Sequence, residues 1–121
     1  MPDKLPLVLK DQVDMIRTTL RMSWNATSLE GQARDIAGNL HSLHSWIEED
    51  PDIEEALART SQEASTYLDY LDRNRPFSGV EHKAQADRAL AAAEAALTQL
   101  GSTLQRAQPN SKARALRLAW G

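Results

Sequence analysis

Cysteine is absent from this 121-residue chain, which excludes disulfide bridges, thiolate zinc sites and a thiol nucleophile. Aromatic residues make up only 5%. The β-branched aliphatics are nearly as scarce, with three Val and four Ile, so little is present that favours a sheet. Glycine and proline number five each and fall mostly at element boundaries. No uninterrupted apolar stretch is fit to span a bilayer. In the opening MPDKLPLVLKDQ, an acid at position 3 and an apolar run of only Leu5 to Leu9 are unlike a signal-peptide core. The Asn25-Ala26-Thr27 sequon therefore reads as coincidence, and a cytoplasmic setting is expected. An excess of one charge sign is lacking too. Fourteen basic residues against 17 acidic ones give a net charge of −3, unlike the basic stripe with which a nucleic-acid binder replaces counterions on phosphates.

What the chain does have is alanine and leucine. Together they supply 34 of its 50 apolar residues, and both enter helices at little cost. The length suits one domain with a modest core. Periodicity then sets the architecture. Ala26, Leu29, Ala33, Ile36, Leu40, Leu43 and Ile47 are spaced alternately three and four apart. Ile53, Leu57, Thr60, Ala64, Tyr67 and Leu71 repeat the pattern, as do Leu90, Ala93, Leu97, Leu100, Leu104 and Ala107. A step averaging about 3.5 residues marks helices packed side by side. The fold expected is all-α: an up-and-down bundle of three long helices plus a shorter N-terminal one, with coiled-coil-like seams.

Boundaries follow from local chemistry. Asp50-Pro51 pairs a capping residue with the helix position that best accepts proline, so one helix ends near Glu49 and the next begins. Pro76 in RNRPFSG stops that helix, because the residue before a proline resists the α conformation. Val13, Ile16 and Leu20 form a stripe one residue out of step with Ala26 onward. On one continuous helix this offset is a turn of about 100°, so a break near residues 24–28 is expected, with Thr27 and Glu30 as a capping box. Helices are predicted at about 10–24, 28–49, 51–73 and 78–107. Residues 1–109 then form the bundle domain, and 110–121 a basic, apolar tail. The Ala-rich ALAAAEAAL of the last helix would admit a neighbouring backbone closely.

Candidate chemistry is sparse. His41, His44 and Glu48 lie along one side of the predicted second helix, and imidazole with carboxylate suits zinc or iron. The heptad register, however, turns His41 and Glu48 to solvent and sets His44 at the seam's flank. His82 follows Glu81, but no nucleophile elbow, P-loop or glycine-rich nucleotide motif accompanies them. No cofactor or metal and no catalytic residue is expected. Trp24 and Trp46 read as half-buried packing residues, and Tyr67 as a seam residue whose hydroxyl snorkels to solvent.

Two segments of opposite charge remain. EEDPDIEE, residues 48–55, holds six acids in eight positions, a solvated corner whose acids the helix dipole favours. NSKARALRLAWG, residues 110–121, has three basic residues and no acid. As a helix, Ala113, Leu116 and Trp120 share one side. The tail is short for a membrane-surface helix and suits a protein groove better, whether its own bundle, a twin subunit or a partner. Arg114, Leu116, Arg117, Leu118 and Trp120 are the candidate partner-binding residues. The expected function is a non-catalytic protein-interaction module, an adaptor, chaperone, inhibitor or regulator of another protein, with a homodimer favoured and no membrane contact. The alternatives are a bundle metalloprotein or enzyme using His41, His44 and Glu48, and a nucleic-acid-associated protein using the tail.

Overall fold

The computed structural model describes residues 5–75 and 79–120, with side chains as far as Ala115. Helix α1 spans Leu5–Met22, and a 3-10 turn covers Ser23–Asn25. Helix α2 follows at Leu29–Ser45, α3 at Pro51–Asn74, α4 at Val80–Leu104 and α5 at Ser111–Trp120. Among the described residues there is no strand, only an isolated antiparallel bridge between Ile47 and Pro109. Helices α1 to α4 close an up-and-down ring in which each packs on two neighbours, and α3 on α4 is the most extensive pair.

The predicted seams point inward. All six residues of the α3 stripe are buried, as are Ala93, Leu97, Leu100 and Leu104 of α4. In α1, Leu9, Val13, Ile16 and Leu20 are buried. That helix begins at Leu5, not near residue 10, because Leu5 and Leu9 carry the stripe back another two turns. Pro6 lies in its first turn, where a missing N–H removes no helical bond. The α2 stripe holds with one exception. Ala33 is exposed, on an open groove whose lining includes Leu29, Gln62 and Leu68. The alanine-rich centre of α4 does permit a close approach: the buried Thr60 hydroxyl of α3 lies 2.8 Å from Ala56 O in its own helix and 3.3 Å from Ala96 O of α4.

The break after α1 falls where the register shift puts it. Ser23 is fully buried, and its hydroxyl donates to Thr19 O at 2.6 Å. Gln32 of α2 donates to the same carbonyl at 3.0 Å. The cap of α2 is Ser28, not Thr27: it has extended backbone and accepts the Gly31 N–H at 3.0 Å. At the far end of α3, Arg75 donates to Ala26 O at 2.8 Å and to Trp24 O at 3.4 Å, tying that end of the helix to the connection between α1 and α2. Helix α3 starts as the sequence predicts, with Asp50 capping and Pro51 first. Gly79, at φ +91°, makes the left-handed turn into α4 that a residue with a Cβ resists. Part of the predicted start of this helix, Ser78, lies outside the described residues.

Two boundaries differ for a shared reason. Helix α2 ends at Ser45, four residues before Glu49, and α4 ends at Leu104, three before Ala107. Residues 46–48 run alongside 108–110, joined by Glu48 N–H to Gln108 O at 2.8 Å and Asn110 N–H to Trp46 O at 3.1 Å. Pairing between segments some sixty residues apart takes the backbone groups that would have extended α2. Ile47 nevertheless remains in the core, 6% exposed.

Candidate functional site

One end of the ring gathers the start of α3, the ends of α2 and α4, and the start of α5. Here the two oppositely charged segments meet. Asn110 is the junction. Its backbone N–H reaches Trp46 O, and its side-chain amide donates to Ser45 O at 2.7 Å and to Ile47 O at 3.4 Å. Its side-chain oxygen accepts the Ala113 N–H at 2.9 Å, capping α5. The same residue therefore occupies carbonyls left over at the end of α2 and a donor left over at the start of α5. One turn on, Arg114 reaches Glu48 Oε1 at 3.3 Å, and Lys112 Nζ stands 5.0 Å from the Trp46 ring centroid, within cation–π range.

Three more acids of the run are engaged as well. Arg106, just past α4, contacts Asp50 Oδ2 at 3.1 Å and Asp52 Oδ2 at 2.9 Å. Glu54 lies 2.6 Å from His44 Nε2, tying α3 to α2. Thus Glu48, Asp50, Asp52 and Glu54 all face basic groups of this chain. Each such pair is exposed on at least one side and stabilises by at most about 1 kcal/mol.

The sequence-predicted residues fare differently. His41 is exposed. His44 and Glu48 do not come together, because α2 ends before Glu48 and each turns to another partner, Glu54 and Arg114. No group of three or more His, Cys, Asp or Glu side chains converges among the described residues. Arg114 lies at the corner, whereas the side chains of Leu116, Arg117, Leu118 and Trp120 lie outside the described residues, although the α5 backbone continues to Trp120. Trp24 and Trp46 are half-buried against the core. Tyr67 is only 1% exposed and does not snorkel. Its phenol is pushed above the usual tyrosine range, first by burial and then by the negative charges of Asp87 and Glu94 on α4.

Two residues essential to this corner escaped the sequence reading. Arg106 carries no local signal, since its partners lie more than fifty residues away. Asn110 did carry one: asparagine is among the strongest helix caps, and it stands directly before the ten residues that form α5. An open groove of about 660 Å³ between α3 and α4 is lined by Glu55, Arg59, Gln99 and Ser102, together with Asp52 and Arg106, which are already paired. No helix among the described residues is long and apolar enough to cross a membrane. Compared with known protein families, with curated proteins and with solved structures, the chain matches none.

Proposed function

We propose that this chain is a non-catalytic interaction module, an adaptor, chaperone or inhibitor of another protein in the cytoplasm, and that α5 is its contact element. The observation that carries this reading is the mounting of α5. Asn110, Lys112 and Arg114 fasten its first turn to the corner, while none of its described side chains belongs to the core cluster. A helix anchored at one end can offer its remaining turns to a groove. Leu116, Arg117, Leu118 and Trp120 follow the anchored turn in sequence, and leucine and tryptophan side chains would supply the apolar contact. Affinity capture from the native host, with the full chain and with a chain ending at Pro109, tests this. Proteins held by the full chain and lost from the shortened one, and lost again on Trp120→Ala, support the proposal. Equal capture by all three overturns it.

A second observation favours self-association. Leu7, Met15 and Met22 of α1 are 65%, 52% and 65% exposed. At about 100° per residue they fall within one arc, opposite the buried Val13, Ile16 and Leu20. Sedimentation equilibrium of the wild type and of Met15→Lys should show a dimer in the first and a monomer in the second. A monomer in both ends the dimer reading.

A further inference from the structure

We infer that the bundle folds α5: Asn110 acts as a clasp that makes the helical state of residues 111–120 conditional on docking at the end of α2. This stands apart from the partner proposal, since a clasped helix needs no other contact. The inference begins from length. Helix α5 has ten residues, below the roughly 12–15 at which an isolated helix becomes even marginally stable in water. Something must offset the cost of nucleation. Its first intrahelical bond, Arg114 N–H to Asn110 O at 3.0 Å, and its side-chain cap, Ala113 N–H to Asn110 Oδ1 at 2.9 Å, both end on one residue.

That residue is held by the ring and not by α5. Asn110 gives its backbone N–H to Trp46 O and its side-chain amide to Ser45 O and Ile47 O. The amide is planar, so fixing its nitrogen against α2 also fixes where its oxygen points. With the nitrogen docked, the oxygen meets the Ala113 N–H. Undocked, the cap regains rotamer freedom and α5 loses its nucleus. The arrangement works in both directions, because the Ser45, Trp46 and Ile47 carbonyls have lost their helical donors where α2 stops and obtain replacements from Asn110. Arg114 to Glu48 and Lys112 over Trp46 add ionic and cation–π support to the same closure. A ligand that recognises helical α5 would thereby favour the closed clasp, and a change at the corner would alter its affinity.

The experiment uses the full chain and two variants. Asn110→Ala removes the side-chain amide of the clasp and the cap together, leaving only the backbone N–H to Trp46 O. Asn110→Asp keeps an equally good capping oxygen but replaces the amide donor with a carboxylate facing the Ser45 and Ile47 carbonyls. Backbone chemical shifts and amide exchange are read for residues 113–118 and for Glu48, whose N–H pairs with Gln108; amides of Leu57 and Leu97 check that the ring stays folded. Both variants should lose α5 helicity and speed its amide exchange by about fivefold or more, with Glu48 quickening in parallel. If α5 keeps its protection in Asn110→Asp, the cap alone suffices and the clasp is refuted. If α5 melts while Glu48 stays protected, the coupling is refuted.

Discussion

Arg106 and Asp50 close the corner through a division of labour within one carboxylate. Asp50 Oδ1 accepts the Asp52 and Ile53 N–H groups at the start of α3, at 2.9 and 3.4 Å. Its Oδ2 meets Arg106, which also reaches Asp52. The two roles differ in strength, because a lost cap leaves helix donors unsatisfied whereas an exposed ion pair is largely replaced by water. Asp50→Ala should cost about 1–2 kcal/mol, and Arg106→Ala at most about 1 kcal/mol. Urea unfolding of the two variants checks the order; a larger loss for Arg106→Ala would give the arginine a structural role beyond this pairing.

Burial separates the seam from the surface in the same assay. Leu97 is wholly inaccessible, while Leu40 and Leu57 retain 8% and 9% exposure. Replacing each by alanine should cost roughly 2–5 kcal/mol, with Leu97→Ala at the upper end because its neighbours can least close the cavity. His41→Ala, on the solvent side of α2, should stay within about 0.5 kcal/mol of wild type. A histidine effect rivalling the leucine effects would mean that the register of α2 is wrong.

The seams were legible because a helix's buried face repeats within its own sequence. Ile53 to Leu71 could be placed without knowing what they pack on, and Asp50-Pro51 marked a boundary by local chemistry alone. The corner was legible in charge but not in geometry. EEDPDIEE and the basic tail signalled attraction, and Arg114 does reach Glu48. Periodicity could not show that residues 46–48 would leave the helix to run beside 108–110, a contact set by tertiary structure. The same error assembled His41, His44 and Glu48 on a helical face that stops at Ser45.

Tyr67 should give the fold a specific alkaline limit. Burial, with Asp87 and Glu94 adding to it, disfavours the phenolate in the folded state. Below the ordinary phenol value, near pH 10, the ring is neutral folded and unfolded, and its contribution is fully present. As pH rises past that point the unfolded chain loses the proton first, so stability falls until the folded phenol ionises too. Lysines titrate in the same window, which makes Tyr67→Phe the necessary comparison. Denaturation midpoints between about pH 8 and 11 should decline more steeply for wild type than for the variant. Parallel curves would show that Tyr67 ionises as freely in the fold as outside it.

Removing residues 110–121 tests how far the ring depends on its tail. Neither Asn110 nor any described side chain of α5 belongs to the core cluster, so the four-helix ring should stay folded. The end of α2 should not be indifferent. Without Asn110, the Ser45, Trp46 and Ile47 carbonyls lose protein donors that water replaces, a net change of about 0.5–1.5 kcal/mol per hydrogen bond, at the lower end where water reaches the freed carbonyls. A total loss of about 1–2 kcal/mol is expected, well short of unfolding. Trp46 supplies the local reporter, because Lys112 stands over its ring in the intact protein. Compared at equal tryptophan content, by placing Trp120→Phe in the full chain, the shortened protein should show red-shifted emission. Lys112→Ala should reproduce part of that shift with little change in stability. Collapse of the ring on truncation would mean that the tail is structural, and that its release to a partner could not be tolerated.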